Sequence, residues 1–69
     1  MNPISFAING IAREAQPNSS IKDVITAFNL PKLGVVCAVN GQIVPATEWD
    51  DKVVSQGDVI SLFQAIAGG

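Results

Sequence analysis

The chain has 69 residues and a formal net charge of −2; 48% of its residues are hydrophobic and 14% are charged. These values are typical of one small folded domain, which at this size buries only about 60% of the surface that its unfolded chain exposes. No basic cluster points to nucleic acid or to an anionic membrane surface, and no apolar run approaches the roughly 20 residues that cross a bilayer. The N-terminal residues lack the pattern of a secretory signal, so a cytoplasmic location is expected.

The residue types present exclude most catalytic and metal sites. The chain has one cysteine, Cys37, and no histidine. An internal disulfide, the usual zinc and haem ligand sets, and Ser-His or Cys-His nucleophile pairs are therefore excluded. Cys37 lies in an apolar strand and is interpreted as a small buried hydrophobic residue. The acidic residues around Trp49 lack the spacing of a calcium loop. We therefore predict a protein that is not an enzyme and that binds no metal or cofactor itself.

The first segment predicts a β-hairpin. Larger apolar side chains alternate with small ones over residues 4–8, which is the period of a strand with one buried face. Asn9-Gly10 then favours a type I′ turn. Residues 11–16 are expected to return antiparallel, until Pro17 ends the strand.

A single amphipathic helix is predicted next. Ser20 is a suitable N-cap, and Asp23 three residues later completes a capping box. The apolar stripe of this helix consists of Ile21, Val24, Ile25 and Phe28. Asn29 can take the left-handed cap conformation and Pro31 stops the helix, so a length of about three turns is expected.

A second hairpin follows the helix. Residues 34–39 form a continuous, β-branched run, which favours a strand buried on both faces. Asn40-Gly41 predicts another tight turn, and residues 42–44 a short return strand. The polar stretch after it predicts a short helical turn whose Trp49 covers the edge of the core.

The last strand is expected to span residues 59–66 and to have two different faces. Ile60 and Leu62 supply the bulkier apolar face, while Ser61 marks the other face as the one turned to solvent. Phe63 shares the face of Ser61. An exposed aromatic residue there would be the centre of a partner-binding patch; alternatively, Phe63 packs under a neighbouring loop or the Trp49 turn.

The resulting order, β-β-α-β-β-turn-β, predicts an α+β fold. Two hairpins and one amphipathic helix bury their apolar faces most simply when a mixed five-stranded sheet packs on the helix, which is a β-grasp. We expect this domain to span residues 1–66. Residues 67–69 are expected to form a flexible C-terminal tail.

The tail suggests a reaction without any catalytic side chain. Ala67, Gly68 and Gly69 offer nothing to pack, but an extended stretch from residue 65 would reach roughly 17 Å into a partner's active site. The α-carboxylate of Gly69 is ionised at neutral pH and is a competent nucleophile towards the α-phosphate of ATP. The chain has no glycine-rich phosphate loop of its own. The activating machinery is therefore expected on another protein.

Four stretches together resemble one family. "AVNGQIVP", Trp49, "QGD" and "LFQAIAGG" resemble the ThiS family, the sulfur carriers of thiamine biosynthesis. The resemblance covers residues 38–69 strongly and the first half mainly in element order. The Gly-Gly end and the β-grasp order are shared with the small subunit of molybdopterin synthase and with ubiquitin.

The resemblance implies a cycle of partners. An E1-like adenylating enzyme would use ATP and magnesium to activate Gly69, a cysteine desulfurase or rhodanese-type donor would supply sulfur, and thiazole synthase would receive it from the thiocarboxylate. It also implies that Gly68 and Gly69 enter partner active sites, that partners dock around Phe63, and that the carrier is a monomer. A molybdopterin-type sulfur carrier, a ubiquitin-like protein modifier and a β-grasp binding module with an irrelevant tail remain alternatives.

Overall fold

Five strands and one helix follow one another in the predicted order. The computed structural model describes residues 2–64. Its elements are β1 (Ile4–Ile8), β2 (Ile11–Ala15), α1 (Ile21–Ala27), β3 (Val35–Val39), β4 (Gln42–Val44), a 3-10 turn (Ala46–Glu48) and β5 (Val59–Gln64). The predicted continuation of the last strand to Ile66, the domain boundary there, and the tail of Ala67, Gly68 and Gly69 lie outside the described residues.

The strands form one mixed sheet in the order β2-β1-β5-β3-β4. β1 pairs antiparallel with β2 and parallel with β5. β3 pairs antiparallel with both β4 and β5. The last strand of the described chain is thus the central one and joins the two hairpins. This architecture confirms the predicted α+β, β-grasp class.

Both hairpin turns have the backbone that their Asn-Gly pairs predict. The φ angles are 51° at Asn9 and 81° at Gly10, and 53° at Asn40 and 85° at Gly41. Positive φ at both central residues is what a type I′ turn requires, and its twist matches that of the flanking strands. Local sequence therefore determines where each hairpin reverses.

The helix begins as predicted but is shorter. Ser20 Oγ accepts a hydrogen bond from the Asp23 N–H, and Asp23 Oδ2 accepts one from the Ser20 N–H, both at 3.0 Å. At the other end Asn29 has φ 56°, and the Leu30 N–H donates to the Ile25 carbonyl. This left-handed closure ends the helix at Ala27, so the prediction of about three turns was too long.

The core lies between α1 and one face of the sheet. Its buried members are Phe6, Ile8, Ile21, Val24, Ile25, Cys37, Val39, Val44, Trp49, Val54 and Ile60. Trp49 is only 6% exposed, and its indole N–H donates to the Val44 carbonyl at 2.9 Å. Trp49 is therefore a member of the core, whereas the sequence predicted that it merely covers the edge of the core. The turn after Pro45 places the ring in the core, where the hydrogen bond to Val44 satisfies its one polar atom.

Cys37 occupies the middle of this core, with no exposed surface, as predicted for a buried hydrophobic residue. Burial raises the pKa of its thiol, since the thiolate would lose its hydration there. The pKa of the thiol in the unfolded chain is about 8.5. The native state therefore keeps its full stability below that pH and loses some as the pH rises towards the raised pKa.

We expect two measurable results at Cys37. A thiol reagent should label it much more slowly in the native protein than in denaturant. Urea unfolding between about pH 7 and pH 10 should show a loss of stability that is smaller in a Cys37→Ala variant, which lacks the titrating group. Rapid native labelling, or equal pH dependence in the two proteins, would contradict this account.

Candidate partner-binding site

The sheet face turned away from α1 is open. Side chains alternate along each strand, so Val59, Ser61 and Phe63 lie on the face opposite to the buried Ile60. The strand register places Val36 beside Phe63, and Ala38 beside Ser61. Strand register and alternation assign the following residues to this face: Ser5, Ala7, Ala12, Glu14, Val36, Ala38, Ile43, Val59, Ser61 and Phe63.

Three large apolar side chains are accessible on this face. We call Val36, Ala38, Ile43, Val59 and Phe63 the open-face patch. Val59, Ile43 and Phe63 are 55%, 60% and 49% exposed, whereas Val36 is partly buried and Ala38 is buried at 9%. None of the five carries a charge. Ser61 lies between Val59 and Phe63 on β5, so the exposed apolar side chains surround one small polar residue. Large exposed apolar side chains grouped in this way mark interaction sites in soluble proteins. The open-face patch is the candidate docking surface.

The position of Phe63 agrees with the interpretation that it is exposed on the solvent face of the sheet. Its side chain is half exposed rather than covered by a loop, and Trp49 is buried in the core on the other side of the sheet. Large aromatic side chains supply much of the energy at protein interfaces. The assignment of Phe63 as a docking residue remains a prediction.

One end of the open-face patch, at Phe63 and Val36, lies where the described chain ends. Phe63 and Gln64 are the last two residues of β5, and five sequence positions separate Gln64 from Gly69. The predicted site residues Ala67, Gly68 and Gly69 lie outside the described residues. A protein that holds Gly69 would nevertheless have to lie near this end of β5, because five extended residues span roughly 17 Å.

Charges lie mainly away from the open-face patch. Lys22 and Asp50 form an exposed ion pair at 3.7 Å on the helix side, where such a pair adds little stability. Within residues 2–64 no three potential metal ligands lie together and no pocket is found. The described helix is too short to span a membrane.

Sequence reasoning missed the roles of two asparagine side chains. Asn40 was assigned to a turn, but its Oδ1 also accepts from the Val59 N–H at 2.9 Å and its Nδ2 donates to Asp58 at 3.0 Å. Asn9 makes comparable contacts with Leu62 on the opposite edge of β5. The only signal in the sequence was that both turns place asparagine, rather than aspartate or glycine, directly after a strand.

Comparisons with known proteins agree with one another. The model of the ThiS family matches residues 6–69. The chain is 34% identical over 66 residues to the sulfur carrier protein ThiS of Escherichia coli strain K12, covering 96% of this chain and 100% of that protein. The crystal structure of the thiamine biosynthesis protein ThiS from Geobacter metallireducens superposes with a TM-score of 0.83 at 17% identity, covering 96% of this chain and 100% of that one. At that identity the structural likeness shows the fold.

Proposed function

The chain belongs to the ThiS family and is a sulfur carrier of thiamine biosynthesis rather than a catalyst, and we propose that the carboxylate of Gly69 is the group that carries the sulfur. The observation that supports this assignment is the extent of the family match, which runs to Gly69 and includes β5, the strand that contributes Val59 and Phe63 to the open-face patch. A carrier acts through partner enzymes. The folded domain then presents the surface that those enzymes recognise, and the tail carries the reacting group to their active sites.

The first proposed step is adenylation of Gly69 by an E1-like enzyme. A carboxylate oxygen attacks the α-phosphorus of ATP, an O–P bond forms, and the bond to pyrophosphate breaks. The product is an acyl adenylate, in which the carbonyl carbon has become an electrophile. ATP and magnesium belong to the enzyme, whose groups stabilise the negative charge that develops on the phosphate.

The second proposed step exchanges oxygen for sulfur. The terminal sulfur of a persulfide, held by a cysteine desulfurase or rhodanese-type donor, attacks the carbonyl of Gly69 and displaces AMP. A thiol then cleaves the resulting acyl disulfide, which leaves a thiocarboxylate on Gly69 and a disulfide on the donor side. Thiazole synthase accepts the sulfur from the thiocarboxylate. We place these reactions in the cytoplasm.

The proposed tail consists of Ala67, Gly68 and Gly69, beyond a domain that ends at residue 66. Glycine lacks a side chain, so its extended backbone fits a channel too narrow for other residues. Ordering each tail residue costs about 1–2 kcal/mol of conformational entropy. Apolar contacts at the open-face patch would offset that cost, and a monomeric carrier leaves this face free. The adenylating enzyme and thiazole synthase would then bind in turn rather than together.

Intact-mass measurement tests the proposed function. The protein isolated from cells that are making thiamine is expected to include a species with the increment of one sulfur replacing one oxygen, located at Gly69 by fragmentation. Covalent conjugates to other proteins would instead favour a ubiquitin-like modifier. Sulfur loading that depends on molybdopterin synthesis rather than thiamine synthesis would favour the other carrier branch.

Phe63→Asp is expected to weaken binding to the adenylating enzyme by about tenfold or more, because a carboxylate would have to be desolvated at the centre of the interface. The free energy of unfolding should change little, since the native side chain is half exposed. Val53→Asp is the matched control: Val53 is 45% exposed and bridges Ser20 on the helix side. Equal affinities of the two variants, measured by calorimetry, would exclude Phe63 from the interface.

A further inference from the structure

Asn9 ends the pairing of β5 with β1. Its N–H donates to the Ile60 carbonyl at 2.9 Å. Its side chain then takes the place of a further strand residue, because Oδ1 accepts from the Leu62 N–H at 2.9 Å and Nδ2 donates to the Leu62 carbonyl at 3.1 Å. The chain next turns away at Gly10 into β2. In the part of the chain that the structure describes, the β1 side of β5 is therefore paired up to Leu62 and no farther.

Gln64 presents the next main-chain groups on that side. Backbone hydrogen bonds alternate between the two edges of a strand. Ile60 and Leu62 face β1 and Asn9, whereas Val59 faces Asn40 on the β3 side. Gln64 has the parity of Ile60 and Leu62, so its N–H and carbonyl point away from β3. Within residues 2–64, neither group has a hydrogen-bond partner on that side.

We propose that the edge of β5 that opens at Gln64 pairs with an extended strand of the adenylating enzyme. The inference rests on the proposed function. An enzyme whose active site holds Gly69 must lie close to the end of β5, because only four residues separate Gly69 from Gln64. Open strand edges bind extended segments through their main-chain groups. Phe63 joins this edge to the open-face patch, so both contacts form one interface. Side-chain contacts would select the partner, and main-chain pairing would set the direction in which the tail leaves the domain.

The short length of the open edge agrees with this role. Long unpaired edges promote aggregation, and proteins usually block them. Here Asn9 closes the edge as far as Leu62, which leaves only the end nearest the tail available in the described chain. A second copy of the chain is the other possible occupant. It is disfavoured because pairing between two copies at Gln64 would cover the approach to both tails.

Amide exchange tests the pairing directly. In the isotope-labelled full-length protein, the Gln64 N–H should exchange rapidly when free and at least about tenfold more slowly in the complex with the adenylating enzyme, as one added hydrogen bond implies. Unchanged exchange at Gln64, in a complex whose formation is shown by shifts at Phe63, would overturn the proposal. Protection at Gln64 in an enzyme-free dimer would assign the edge to a second copy and would also overturn it.

Two synthetic backbone esters separate pairing from simple burial. An amide-to-ester replacement at Gln64 deletes the N–H and weakens the Phe63 carbonyl, which faces β3. The matched ester at Thr47 deletes an N–H that has no hydrogen-bond partner within residues 2–64. It also weakens the Ala46 carbonyl, which accepts from the Trp49 N–H. The Gln64 ester should reduce kcat/KM for adenylation about tenfold relative to the Thr47 ester, at similar melting temperatures. Equal rates would contradict strand pairing, whereas an unmodified chain that is never adenylated would contradict the proposed function instead.

Discussion

Deletion of Gly69 is expected to abolish adenylation while leaving the domain folded. Removing one residue moves the terminal carboxylate back by roughly 3.3 Å, and a displacement of about 1 Å from reactive geometry already costs on the order of 100-fold in rate. ATP–pyrophosphate exchange with the adenylating enzyme should therefore fall by more than about 100-fold. Circular dichroism and the melting temperature should not change, since the deletion lies five positions beyond β5.

Deletion of Asn2 is the control for Gly69, because it shortens the opposite end of the chain by one residue outside β1. This variant should retain normal exchange. Undiminished exchange by the chain lacking Gly69 would show that the reactive group lies elsewhere. Loss of folding in that chain would show that the tail belongs to the domain.

Trp49→Ala is expected to destabilise the protein more than most other single substitutions. Removing a large buried aromatic side chain costs about 3–5 kcal/mol, a large part of the stability of a small domain. The melting temperature should fall by roughly 12 °C or more. Because the variant has no tryptophan, unfolding should be followed by far-UV circular dichroism. A loss below about 1 kcal/mol would contradict the assignment of Trp49 to the core.

Trp49→Phe separates the hydrogen bond of Trp49 from its packing. Phenylalanine keeps much of the ring volume but leaves the buried Val44 carbonyl without the indole N–H. An unsatisfied buried acceptor costs about 1–3 kcal/mol. The Phe variant should therefore lie between the wild type and the Ala variant. Stability equal to the wild type would mean that water or another donor satisfies Val44.

Local signals in the sequence predicted the elements well. Asn9-Gly10, Asn40-Gly41 and the Ser20 capping box act between residues close in sequence, and each is confirmed by the backbone or hydrogen bonds. The helix length was wrong because the apolar period continues through Phe28. The apolar period predicts which face a residue occupies but not where the helix ends. The end is set by the left-handed backbone of Asn29.

Contacts between residues distant in sequence were harder to predict. The burial of Trp49 depends on a carbonyl of β4, and the second role of Asn9 depends on Leu62, 53 positions later. Exposure of Phe63 was left open because strand alternation and Ser61 identify the face that Phe63 occupies, but not whether a loop or the Trp49 turn packs over it. The Gly-Gly end was recognised from sequence and resemblance, and its assignment as the reactive group remains a proposal.

The central position of β5 has a consequence for folding kinetics. β1–β2 and β3–β4 are separate hairpins until β5 pairs with both, and isolated two-stranded hairpins are at best marginally stable in water. The native sheet therefore forms only when opposite ends of the chain come into contact. This requirement makes folding slower than that of helical domains and makes the transition all-or-none. Any molecule that has folded already holds β5 between the hairpins. Pairing of the strand that precedes the tail is thus also required for folding, so partly folded molecules that present the tail should not accumulate.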